Sequence, residues 1–322
     1  MMVKSQMCAG MRWLVFGCYV LVAAARVVTM AWKTCSDATG CAKTQADLGR
    51  DFASIRSFGT SHVYLFCGYG VAANGSFAFI PDPPQRWGVP SICRQAAALI
   101  AATPDVSYSI MVEARLDFGP GLSSLVGDGD GGRRFGAEAA AVLATFPQPK
   151  ARVPGAVADG VGLQLDFERG HNKSVPLPTA ADFAAMVGSV ASQVPAGVGV
   201  SVSMCPYLSD YGQLIASGAT ALNDMDLYHA DSATGFEGKL QTSMARLGSS
   251  SRAAFAAGIS LFPAQNGWEN TTAGLSDRLS ALQAAGISRV NVFCWPLLGF
   301  ASAAPPALIH SWAQTLSAWA SS

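Results

Sequence analysis

From Leu163 onward, the stretch Val161-Gly162-Leu163-Gln164-Leu165-Asp166-Phe167-Glu168 alternates apolar and polar side chains without a break. A period of two is the strand repeat, so Gln164, Asp166 and Glu168 share one face while Leu163, Leu165 and Phe167 share the other. The interior of a β-barrel accounts for the polar face, and a surrounding layer of helices accounts for the apolar one.

On either side of this segment, short β-branched or aromatic runs alternate with longer Ala-rich stretches of helical period, as in repeated βα units on a parallel sheet. Strands are expected at Val27–Trp32, His62–Cys67, Ser107–Ala114, Gly160–Phe167, Gly197–Met204, Asp224–Tyr228, Ala256–Phe262 and Val290–Trp295. Helices are expected around Gln45–Phe58, Ser91–Ala102, Phe135–Phe146, Ala180–Gln193, Gly212–Ala219, Gly238–Leu247, Ala273–Ala285 and Pro306–Ala320. Thr179 is a suitable cap for the helix beginning at Ala180, and Gly286 is a suitable stop after Ala285. Eight strand–helix pairs within residues 26–322 close into a single-domain α/β fold, the (β/α)8 TIM barrel. A doubly wound sheet would place a glycine-rich phosphate loop after its first strand, and Lys33-Thr34-Cys35-Ser36 offers none. The run Gly127-Asp128-Gly129-Asp130-Gly131-Gly132 lacks the bidentate Glu of a calcium loop and reads as a flexible surface turn.

The N-terminal segment has Lys4 and Arg12, an apolar run from Trp13, and small residues Ala23-Ala24-Ala25 before Arg26. These are the parts of a secretory signal peptide over residues 1–25, with a run too short to span a bilayer comfortably. Beyond it remain Cys35, Cys41, Cys67, Cys93, Cys205 and Cys294, an even set for which disulfides are the default in an oxidising compartment. Cys35 with Cys41 and Cys67 with Cys93 are two pairings among several that the sequence leaves open. Sequons at Asn74, Asn172 and Asn270 fit the secretory route. A net formal charge of zero without basic blocks excludes an electrostatic footprint for nucleic acid or anionic membranes. No cysteine pair has zinc-finger spacing, so neither metal nor cofactor is expected, and the mature chain is expected to be a monomer outside the cell.

In a (β/α)8 barrel, ligand sites lie where strand C-termini meet the βα loops. Asp166 and Glu168 end the central strand there, and crowding two carboxyls raises the proton affinity of one, which suits a general acid. The structural alternative is a buried polar network tying strands together. Glu113 ends the neighbouring strand, where it permits a two-carboxylate mechanism or pairs with Arg115. Trp32, Tyr69, Tyr207 and Gln265 fall at strand ends and are candidates to line a ligand cleft, with packing as the alternative for each. His62 opens a strand on the far face and His310 is on the last helix. That leaves His229 alone near the mouth, without a second histidine for a metal site or a serine-type triad.

The octet resembles the fourth-strand signature of glycoside hydrolase family 18, the chitinases and endo-β-N-acetylglucosaminidases, written Asp-Gly-x-Asp-x-Asp-x-Glu. Gly162, Asp166 and Glu168 match, whereas Val161 and Gln164 replace the first two aspartates. The resemblance implies Glu168 as the acid that protonates the glycosidic oxygen, and Asp166 as the residue orienting the acetamido group that attacks the anomeric carbon. Asp226-Leu227-Tyr228-His229 is similar to the family's Met-x-Tyr-Asp segment, making Tyr228 the support of the acetamido oxygen. Trp295 corresponds to the Trp under the sugar, a position that suits an aromatic face. The family's Ser-x-Gly-Gly segment is absent; Ser109-Ile110-Met111-Val112-Glu113-Ala114-Arg115 stands there. The expected function is therefore a secreted glycosidase of β-linked N-acetylglucosamine glycans, with Gln164 and Glu113 also facing substrate. The rivals are a non-catalytic carbohydrate-binding barrel, or a two-carboxylate glycosidase using Glu113 and Glu168.

Overall fold

The computed structural model describes residues 26–33, 43–79, 90–115, 121–149, 161–168, 178–204, 210–230, 232–247, 252–260, 271–295 and 305–322. The proposed leader, Cys35, Cys41, Cys205, Tyr207, Gln265 and the sequons at Asn172 and Asn270 lie outside these residues.

The strands are β1 (Val27–Lys33), β2 (Thr60–Val71), β3 (Phe77–Phe79), β4 (Ser107–Arg115), β5 (Gly162–Glu168), β6 (Val200–Met204), β7 (Ala221–Asp224), β8 (Phe255–Ser260) and β9 (Arg289–Trp295). The helices are α1 (Gln45–Ser57), α2 (Pro90–Ala102), α3 (Gly121–Gly127), α4 (Gly131–Leu143), α5 (Ala180–Ala191), α6 (Tyr211–Ala216), α7 (Ala233–Leu247), α8 (Thr272–Ala284) and α9 (Pro306–Ser321). The sheet order is β1-β9-β8-β7-β6-β5-β4-β2-β3, with β1 also paired to β2, so the eight parallel strands close into a ring and leave no barrel edge. The short β3 stands outside the ring, antiparallel to the far end of β2. This is the (β/α)8 TIM barrel expected from the alternation.

Strand parity separates two environments. Side chains facing outward, among them Val28, Met30, Val63, Leu65, Ile110, Leu163, Leu165, Phe167 and Val292, are fully buried beneath the helices. Phe167 meets Phe183 of α5 edge-on with ring centroids 5.9 Å apart. Each such side chain contributes on the order of 1.5–3 kcal/mol through burial. Much of the lower inward set is polar. Thr29 donates to Asn291 Oδ1 at 3.0 Å, and the two ring nitrogens of His62 meet Ser107 Oγ at 2.7 Å and Ser109 Oγ at 2.9 Å. Gly162, the glycine of the octet, has a packing reason: a Cβ there would collide with the Ser109 hydroxyl.

Thr179 caps α5 through its hydroxyl, which accepts from the Asp182 amide at 3.1 Å. A disulfide joins Cys67 on the outer face of β2 to Cys93 on α2, realising one of the open pairings. Two expectations are corrected. The strand expected at Asp224–Tyr228 is Ala221–Asp224 instead, followed by a 3-10 turn over Asp226–His229. The reason is Asp224, whose carboxylate points into the helix layer and accepts from the Asp226 amide at 3.0 Å, turning the chain. The glycine run is a surface turn only over its exposed residues Asp128–Asp130: Gly127 ends α3, while Gly131 and Gly132 open α4 and are buried. A Cβ on Gly132 would stand 2.9 Å from Met186 O of α5, so the absence of a side chain lets the two helices approach. The elements without a sequence expectation, β3 and α3, span three and seven residues, too short for a periodic signal. Among the described residues, no helix is long and apolar enough to cross a membrane.

Candidate active site

Below the mouth, Gln164 is buried and both ends of its amide are hydrogen-bonded. Its Nε2 donates to Ser203 Oγ, and its Oε1 accepts from Ser201 Oγ and, at 3.2 Å, from Asn223 Nδ2. The amide thus ties β5, β6 and β7 together in a polar layer, which is where the structure places this sequence candidate.

One step up β5, Asp166 lies on the same inward face and is 5% exposed. Its register partner on β4 is Glu113 and its partner on β6 is Ser203. Parallel neighbours stand about 4.8 Å apart, so the closed sheet sets two carboxyl-bearing residues at one level of the mouth. Glu113 is half-buried. The next pair upward is Arg115 with Glu168, the last residue of β5. The side chains of Glu168, Arg115, His229 and Trp295 lie outside the described set; Glu168 and Trp295 are placed here only as strand-end residues of β5 and β9.

Tyr228 is on the 3-10 turn after β7 and is buried. Its ring stacks on Phe293 of β9 at 6.0 Å and 12°. Gly258 of β8 makes room for it, since a Cβ there would lie 3.0 Å from Tyr228 Cδ1. Phe293 in turn meets Phe66 of β2 edge-on at 6.5 Å.

The sequence reading missed Lys33. It ends β1, is 3% exposed, and holds its ammonium 4.8 Å from the Phe293 ring centre and 5.8 Å from that of Phe66. A cation between two phenyl rings in a desolvated position gains from their quadrupoles. The signal was present in the alternation of β1, where Thr29, Ala31 and Lys33 share the parity that faces inward. The same parity corrects Trp32, which was a cleft candidate. It faces the helix layer, fully buried, with Nε1 donating to Asp51 Oδ2 of α1 at 3.1 Å and its ring tilted against Phe52 at 5.4 Å. Tyr69 packs in the hairpin beyond the ring, stacked on Phe77 at 5.1 Å. His62 belongs to the lower interior, where burial and, secondarily, the Arg289 charge lower its pKa to about 3 and keep the imidazole neutral. His310 is exposed on α9.

The mouth thus combines acids on adjacent strands, a buried cation, and a phenol seated on an aromatic ring. Such a set can donate and accept protons and present aromatic faces to a sugar.

No protein-family model matches the chain, and no curated protein matches it in sequence. Solved structures match in fold. The Group IV chitinase of Ostrinia furnacalis, in complex with allosamidin, is 11% identical with a TM-score of 0.63, over 91% of this chain and 99% of that one. A fungal endo-β-N-acetylglucosaminidase of glycosyl hydrolase family 18 is 13% identical with a TM-score of 0.58, over 91% and 97% of the two chains. Human YKL-39, a pseudo-chitinase with retained chitooligosaccharide binding, is 10% identical with a TM-score of 0.58, over 92% and 100%. At these identities the likeness is one of fold, and the barrel of this chain is similar to that of glycosyl hydrolase family 18.

Proposed function

We propose that this chain is a secreted glycosidase that cleaves β-linked N-acetylglucosamine glycans with the help of the substrate's own acetamido group. The observation that carries the reading is the placement of Asp166 on the inward face at the barrel mouth, two residues before the strand-terminal Glu168 and level with Glu113. In this reaction Glu168 gives its proton to the glycosidic oxygen as the bond to the anomeric carbon breaks. The acetamido carbonyl oxygen closes on that carbon, with Asp166 accepting from the amide N–H and the Tyr228 hydroxyl donating to the carbonyl oxygen. Water then opens the cyclic intermediate, with Glu168 taking the proton back. Trp295 lies under the sugar in this arrangement. The chain needs no cofactor for these steps.

Secretion is supported by the leader-like residues 1–25 and by the Cys67–Cys93 disulfide, which persists in an oxidising compartment. Asn74 is exposed at the tip of the β2–β3 hairpin, a position open to glycan attachment.

A chromogenic chitobioside tests the reading. Turnover by the wild type and a fall of about 100- to 10,000-fold in Glu168→Gln are expected; equal rates for the two proteins overturn it. Gln164 favours a second reading, because its amide is consumed by the polar layer and supplies no charge to Asp166. In that case the chain binds chitooligosaccharides without cleaving them, as the human pseudo-chitinase does in binding. Chitotetraose binding with no turnover would establish it.

A further inference from the structure

The turn that carries Tyr228 is held from outside the barrel. Arg278 of α8 is fully buried and reaches the turn with both terminal nitrogens, Nη1 donating to Leu227 O and Nη2 to Ala230 O, each at 3.1 Å. Those two carbonyls bracket Tyr228 in the chain. The guanidinium carbon lies 4.8 Å from the ring centre of Phe236 on α7, so the planar group is fixed by stacking as well as by hydrogen bonds. From the other side Asp224 fixes the start of the turn. It accepts from the Asp226 amide at 3.0 Å and from the Tyr211 hydroxyl at 2.8 Å, and also from the Ser243 hydroxyl. Lys239 pairs with Asp226 at 2.8 Å nearer the surface.

Burying a guanidinium is costly, and satisfying two turn carbonyls could be done by a hydroxyl or by the backbone at lower cost. What the fork adds is geometry. It donates in two fixed directions from one rigid plane, which sets the orientation of the peptide segment between its two acceptors. That segment presents the Tyr228 ring to Phe293 and to the space left by Gly258.

We propose that Arg278 is a positioning residue for the site, acting through Tyr228: the buried fork on Leu227 O and Ala230 O holds the phenol where it can donate to the sugar's acetamido carbonyl. The assignment rests on the reading of Tyr228 given above. Displacing a catalytic group by about 1 Å costs on the order of 100-fold in rate, which sets the expected size of the effect.

The test is a cycle of full-length variants assayed on 4-nitrophenyl chitobioside, at a temperature where circular dichroism shows each of them folded. Arg278→Met is expected to lower kcat about 100-fold, with KM changed far less. The double variant Arg278→Met, Tyr228→Phe is expected to be no slower than Tyr228→Phe alone, within about twofold, because both changes remove one interaction. Arg278→Lys, which keeps a donor, is expected to recover part of the loss and stands in if Arg278→Met does not fold. Multiplying losses, or a folded Arg278 variant with wild-type kcat, overturn the positioning role. A crystal structure of either Arg278 variant decides the same point without turnover: Tyr228 shifted off Phe293 supports the role, and Tyr228 still stacked there overturns it. Wild-type kcat in Tyr228→Phe would instead sink the assigned role of Tyr228, leaving the crystallographic result to judge the clamp.

Discussion

The lower and upper halves of the barrel interior are both lined with polar side chains, yet they are built on opposite terms. Below, His62 with Ser107 and Ser109, Thr29 with Asn291, and Gln164 with Ser201, Ser203 and Asn223 bond to one another. These groups are neutral, and each donor or acceptor used within the layer is one that no ligand can use. Above, Lys33, Glu113 and Asp166 bring charge to the strand ends, and Phe66, Phe293 and Tyr228 supply aromatic rings beside them. Polar residues inside a barrel therefore do not mark a site by themselves. Height along the strand separates fold-holding groups from those placed for chemistry.

The largest effect that would sharpen this contrast is expected at Asp166. Asp166→Asn keeps the shape and removes the charge, and should lower kcat/KM on the chitobioside by about 100-fold or more. The melting temperature should move little, because the substitution is nearly isosteric. A stability loss with unchanged activity would move Asp166 into the lower class.

A smaller effect, of the opposite kind, is expected at Gln164. Gln164→Leu leaves Ser201, Ser203 and Asn223 without the amide they share, and should cost about 2–3 kcal/mol in urea unfolding. A neutral result would show that the lower layer is not a satisfied network.

Comparable in size is a pH dependence. The unfolded imidazole binds a proton near pH 6.5, while burial, aided by the Arg289 charge, lowers the pKa of folded His62 to about 3. The unfolded state thus binds more protons between these values. The stability from His62 is fully present above pH 6.5 and falls as the pH drops toward 3, by at most about 1.4 kcal/mol per pH unit. Unfolding free energies measured at pH 7 and pH 4.5 should differ less in His62→Gln than in the wild type. Equal pH dependence in the two proteins would break the assignment of a neutral buried imidazole.

The polar face of β5 was legible in the octet because side-chain direction along a strand is local: Gln164 and Asp166 point inward for the reason their spacing gives. The same rule, applied to Val27–Lys33, separates Lys33 from Trp32; choosing Trp32 for its chemistry rather than its parity put a helix-layer residue into the cleft. The 3-10 turn at Tyr228 was misread as strand because the apolar run through Leu227 and Tyr228 cannot show that the Asp224 carboxylate caps it.

By itself, then, the sequence determined the order of strands and helices, the inward face of β5, and the caps that start and stop helices, since each depends on residues within a few positions of one another. The closed sheet decided the rest. It set Glu113 level with Asp166, brought Lys33 to Phe293 from opposite ends of the chain, and placed Arg278 on carbonyls 51 and 48 residues away. Register and ring closure are settled by packing between distant segments, and no short-range pattern in the chain encodes them.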